Sequence, residues 1–153
     1  MKISHRAGLA GIALAATLAA SPAQAGGVAA CFGSTEGRDG LTDFSAYTLA
    51  RSETASVDRN ALESEAERQF RATNPSNQRV RCHGTTESDH FVIVRAAQAL
   101  NGRTIQLLGV GFGDSRGAAI ADSERRLSEY PDYDMFVGRG GELEVIEEGS
   151  VEG

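Results

Sequence analysis

The sequence predicts an α+β domain. It reads as two β-α-β-β pseudo-repeats, with two helices packed on one face of a mainly antiparallel sheet. Three observations predict it. An apolar stripe at helical spacing occurs twice, at an offset of 57 residues. Each stripe follows a strand-like run and a polar or Gly-rich turn. Asn101-Gly102 separates two strand-like runs, and both residues tolerate the positive φ of a tight hairpin turn.

Residues 1–25 precede this pattern. Lys2, His5 and Arg6 form a basic head, and residues 7–20 are apolar. Ser21-Pro22 interrupts the run, and Ala23 and Ala25 present an A-x-A cleavage site before Gly26. The apolar run of 14 residues falls short of the roughly 20 that a spanning helix needs. A cleaved secretory signal peptide is expected, and no Cys follows the cut to carry a lipid. Residues 26–147 form the predicted domain, with pseudo-repeats over about 44–97 and 103–147. Residues 148–153 read as an acidic flexible tail.

A short strand-like segment, residues 28–32, opens the domain as an addition to the repeat. In the first copy a strand at residues 44–51 leads to a helix capped by Asp58, whose side-chain oxygen can accept an orphan amide hydrogen. Leu62, Ala66 and Phe70 lie on one face of that helix, and Glu67 and Arg71 form an exposed pair. Strands follow at residues 79–83 and 90–97, although residues 96–100 could open a short helix. The second copy has a strand at residues 103–110 and a helix capped by Ser115 or Asp114. Its stripe is Ala119, Ser123 and Leu127, and Asp122 and Arg126 pair on the surface. Pro75 and Pro131 close the two helical segments. Strands are predicted at residues 134–137 and 142–146, joined by Gly138-Arg139-Gly140-Gly141. In the last of these, Leu143 and Val145 alternate with Glu142 and Glu144, as in a half-buried strand.

Composition limits the function. The whole chain carries 15 basic and 21 acidic residues. Cleavage after Ala25 leaves 13 arginines, no lysine, and a formal charge of −8 over 128 residues. Such a chain is poorly suited to nucleic acid, whose affinity comes largely from phosphate neutralisation. It is equally unsuited to anionic membranes, and stable membrane insertion after cleavage is not expected. It suits a basic partner. Export implies an oxidising compartment: the periplasm of a Gram-negative source, the exterior otherwise. Cys31 and Cys82 are therefore expected to pair, a reactive or metal-bound thiol being the alternative.

Several constellations could carry chemistry. Gly113-Asp114-Ser115-Arg116-Gly117 matches G-x-S-x-G between a strand and a helix. A catalytic Ser115 would need a base, and only His83 and His90 are available in the domain. Helix capping explains the same Ser without a base. Cys82, His83, Glu87, Asp89 and His90 are donor types for zinc or copper, so His83, Asp89 and His90 are candidate metal ligands. Their spacing matches no metal motif, and no cofactor is expected. The glycines from Gly109 to Gly113 fit neither the G-x-G-x-x-G pattern nor a phosphate loop with its Lys, and they permit a tight turn or close strand packing. Tyr130, Asp132, Tyr133 and Asp134 could anchor an interface. The reading favoured by this inventory is a non-catalytic exported binding module for a basic exported or envelope protein, such as an inhibitor or immunity-like protein. A small serine hydrolase using Ser115 with His83 or His90 is the alternative.

Overall fold

The computed structural model describes residues 26–54, 56–75, 79–100 and 102–151, so the expected signal peptide lies outside the described residues. The elements run β1 (Gly27–Glu36), β2 (Thr42–Ser52), α1 (Arg59–Thr73), β3 (Arg79–Thr85), β4 (His90–Leu100), β5 (Arg103–Gly113), α2 (Arg116–Leu127), α3 (Tyr133–Gly138) and β6 (Leu143–Ser150). The α+β class and the antiparallel pairing are as expected. The strands divide between two three-stranded sheets, with orders β2-β1-β3 and β5-β4-β6.

These orders are the same topology used twice. In each half the first strand is central, the second pairs on one side as a hairpin, and the third returns across a helix to the other side. The repeating unit is therefore β-β-α-β, and the strand at the N-terminus is a full member of it. A β-α-β-β frame begins one strand late. The physical reason is the central position of β1: buried on both faces from Gly27 to Ser34, it carries no alternation to mark it as a partner of β2.

Strand alternation assigns the faces. Ala29 and Cys31 point to α1 and join Ala50, Leu62, Ala66 and Phe70 in one cluster. Val28, Ala30 and Phe32 point the other way and join the cluster that holds β4 and β5. On the second sheet, a side chain at Gly109 or Gly111 would collide with α2, so the alternate residues Leu108, Val110 and Phe112 face the first sheet. The two sheets thus meet face to face, with α1 and α2 on their outer surfaces. Tyr47 of β2 donates to Glu147 of β6 at 2.8 Å, and the Arg51 guanidinium stacks 4.7 Å from the Phe91 ring, across that junction.

Both helix stripes fall where the period of 3.6 puts them. The buried residues are Leu62, Ala66 and Phe70 in α1, and Ala119, Ser123 and Leu127 in α2. Asp58 accepts from the Ala61 amide at 3.1 Å, and Ser115 accepts from the Ala118 amide at 3.2 Å. Gly102 has φ of +80°, as the hairpin turn after β4 requires. Residues 96–100 continue β4 and do not form a helix.

Two element assignments are corrected as well. Residues 134–137 lie in helix α3, not a strand. Tyr133 and Phe136 are a helical step apart, Phe136 is buried, and Gly140 at φ +78° turns the chain so that the Gly141 amide returns to the Phe136 carbonyl at 2.9 Å. Residues 148–150, expected to fray, belong to β6, and Val151 beyond them is 5% exposed. The Val151 amide donates to the Asp89 carbonyl at 2.8 Å, which fastens the strand's end.

The disulfide is as expected. Cys31 of β1 and Cys82 of β3 stand directly opposite, with Cα atoms 4.1 Å apart, and their sulfurs are bonded.

Candidate functional site

Register places one end of both sheets together. Gly27 pairs with Ser52, and Val28 with Thr85, at the end of the first sheet. His90 pairs with Gly113 and Ser150 at the end of the second. The short connection from β3 to β4 joins these two ends directly. The loops that leave here hold Glu53, Asp58, Glu87, Asp89 and Asp114, all exposed.

Charge pairing makes this end distinct. Ten of the 13 arginines form ion pairs within the described residues. Of the other three, Arg81 sits 5.0 Å from the Tyr130 ring. Most of the positive charge is thus matched by a neighbouring carboxylate of the same molecule. Among the described residues, none of the five carboxylates at this end forms an ion pair; Asp58 caps α1. Their fields add over one surface.

Two clefts open at the same end. One, of about 330 Å³, lies between the start of α1 and the end of β3, where Asp58, Arg59, Thr86 and Glu87 line it. The other, of about 260 Å³, has walls from His90, Phe91, Gly149 and Ser150 and a rim of Arg116 and Glu148. That rim pair meets at 2.6 Å.

Each candidate from the sequence has a definite place. Ser115 is the α2 N-cap, and its oxygen is engaged by Ala118. The register of β4 against β5 brings His90 to the end that carries Ser115. Among the described residues no hydrogen bond joins Ser115 to His83 or His90. His83 lies on β3, opposite Ala30 of β1. Burial of its ring pushes its pKa down, and the Arg126 charge adds to this; Glu63 and Glu129 pull more weakly the other way. Burial and the Arg126 charge both favour the neutral ring. The disulfide removes Cys82 as a metal ligand. Among the described residues no group of three His, Cys, Asp or Glu side chains stands ready to hold a metal, so His83, Asp89 and His90 do not assemble as one.

The remaining motifs serve the fold. Gly109, Gly111 and Gly113 lie in β5 beneath α2, and a Cβ on Gly111 would stand 1.9 Å from the Ala119 carbonyl oxygen. These glycines admit a helix rather than a phosphate. Tyr130 is buried edge-on against Phe44 at 5.1 Å, and Asp132 accepts from the Thr42 amide at 2.8 Å. Much of that loop thus closes the core and holds the start of β2.

Sequence reasoning missed Glu53 as part of the acidic end, because only the pairing of β1 with β2 brings it there. It also missed how much rests on Asp122. Beyond its expected partner Arg126 at 2.8 Å, this carboxylate accepts from Arg125 at 2.7 Å and from the Phe112 amide at 3.0 Å. Burial raises its pKa, but the two guanidiniums and the amide outweigh that and hold it below the usual range.

No helix among the described residues is long and apolar enough to cross a membrane. Comparison with protein-family models, with curated proteins and with solved structures finds no match.

Proposed function

We propose that this chain is a non-catalytic exported binding module whose acidic end engages a basic protein, as an inhibitor or immunity-like protein would. One observation carries the reading: ten of the 13 arginines are taken up in ion pairs within the molecule, while Glu53, Glu87, Asp89 and Asp114 are exposed at one end and, among the described residues, form no ion pair. Complementary charge of this kind raises association rates and selects against acidic competitors. The adjoining clefts give a partner relief to fit. The disulfide is compatible with an oxidising compartment.

The test is a titration of the mature domain with a lysine homopolymer of defined length, at low and at physiological salt, by calorimetry. The reading expects binding that weakens as salt rises. It also expects the triple variant Glu87→Gln, Asp89→Asn, Asp114→Asn to bind on the order of tenfold more weakly. Equal binding by wild type and variant would remove the acidic end as the contact surface. A partner recovered by crosslinking can then be measured against the same variant.

A further inference from the structure

We infer that the outer edge of β2 is a docking edge for one extended, uncharged segment of another protein, which joins the first sheet as a fourth strand. This goes beyond the binding proposal and does not depend on the acidic end.

The two sheets leave four edge strands, β2, β3, β5 and β6. An edge offers unpaired amides and carbonyls to any extended chain, and proteins blunt it with charge or with a covering group. Three of the four are blunted in this way. Glu63 of α1 accepts from the Gly84 amide of β3 at 2.8 Å. Asp122 of α2 accepts from the Phe112 amide of β5 at 3.0 Å, and Asp43 accepts from the Gln106 amide of the same strand at 2.9 Å. β6 carries Glu144, Glu147 and Glu148. β2 differs. It has no charged side chain between Asp43 and Arg51, and among the described residues no strand lies on its outer side.

The ladder decides which backbone groups are on offer. The Gly84 amide points to Glu63 and away from β1. The alternation of an antiparallel pair therefore turns Val28 and Ala30 towards β3, and Ala29 and Cys31 towards β2. Ala50 and Thr48, opposite those two, bond inward. Tyr47, Leu49 and Arg51 accordingly turn their amides and carbonyls outward.

Beyond that edge the second sheet projects as a ledge. A cleft of about 290 Å³ has Ser45 and Tyr47 of β2 as its wall, and Arg95, Gln106, Leu108 and Ile146 of the second sheet as its floor. Leu108 and Ile146 make part of that floor apolar. Arg95 is matched by Glu144 at 2.5 Å, so the floor is electrically balanced. A strand laid beside β2 would cover the ledge and lower an alternate side chain into the cleft, while its backbone bonds to Tyr47, Leu49 and Arg51. A second copy cannot do the same. Two copies paired through β2 are related by a two-fold axis perpendicular to the sheet. Both second sheets then lie on one side, and each ledge needs the space beneath the other's β2. A single extended segment, with apolar side chains at alternate positions, meets no such conflict.

The experiment follows amide hydrogen exchange by NMR in the folded, oxidised chain. The probe is an end-capped hexapeptide of alternating valine and threonine, at millimolar concentration. Exchange at Tyr47, Leu49 and Arg51 should slow on the order of tenfold, with Val145 and Glu148 of β6 unaltered. The same peptide N-methylated at every residue cannot donate and should slow nothing. The triple variant Glu87→Gln, Asp89→Asn, Asp114→Asn should bind the peptide as the natural chain does, and added salt should not weaken binding, which separates this edge from the acidic end. No slowing in β2, slowing confined to β6, equal slowing by the methylated peptide, or loss of binding in the triple variant each overturns the inference. So does a chain that sediments as a dimer with the Tyr47 and Leu49 amides already protected.

Discussion

The two halves of this molecule share a topology but hold their helices by different means. In the first half, α1 rests on side chains: Leu62, Ala66 and Phe70 fill a small cluster of their own with Ala29, Cys31 and Ala50. A covalent bond between Cys31 and Cys82 adds to it. In the second half, α2 lies against bare backbone. Gly109, Gly111 and Gly113 let it approach until its own carbonyls and Leu127 occupy the space of their missing side chains. Its apolar residues merge with the large cluster that both sheets share. A helix can be fastened by cross-linking the strands beneath it or by lowering it onto glycine. The first device acts largely on the unfolded chain, whereas the second acts through dispersion contacts in the folded one.

The largest expected effect comes from removing the covalent device. The disulfide closes a separation of 51 residues, and the double variant Cys31→Ala, Cys82→Ala should lose about 4 kcal/mol in urea unfolding. A loss below about 1 kcal/mol would mean that the first half stands on packing alone.

The glycine device is tested next. Gly111→Ala should destabilise by about 3 kcal/mol, because the added methyl meets backbone that cannot move aside. Gly84→Ala supplies the comparison from the first half. Its Cβ would stand 3.1 Å from Ala29 Cβ and 3.2 Å from Glu63 Cγ. A smaller loss, about 1 kcal/mol, is expected there. If the two variants unfold alike, the proposed difference between the halves is not real.

The caps are where the halves should agree. Asp58→Ala and Ser115→Ala each remove one bond to the third residue after the cap. Each should reduce stability by about 1 kcal/mol. A loss of esterase activity in Ser115→Ala with stability unchanged would restore the hydrolase alternative.

The smallest effect concerns pH. His83 is held below its ordinary pKa in the fold, so the unfolded chain binds the proton more readily. Stability should be complete above about pH 6.5 and fall as pH drops below it. His83→Gln should flatten that part of the pH profile in thermal unfolding, and an unaltered slope would assign it to other groups.

How much of this was legible in the sequence depends on the range of each signal. The helix stripes and both caps are local, and Leu62, Ala66, Phe70, Asp58 and Ser115 all fell where periodicity and capping chemistry put them. Tyr133–Gly138 failed because an apolar run this short fits both periods. The division into two sheets has no local signature at all. It follows from which faces of β1 and β4 become buried, and both strands read as continuous apolar runs. The glycines of β5 were legible as a site of close approach, but not that a helix would be what approaches. The candidate site was partly legible: Glu87 and Asp89 stood out as donor types, while their meeting with Glu53 and Asp114 is a product of register.

The placing of each half's first strand at its centre has a kinetic consequence. The hairpins β1-β2 and β4-β5 are local and can form early, since short loops close quickly. The third strand must wait for a helix to carry it back. Cys82 rides on such a third strand, so it reaches Cys31 only when α1 has already bridged the sheet. Oxidation of this pair should therefore come late in the first half's assembly, sealing a structure already chosen rather than guiding the choice.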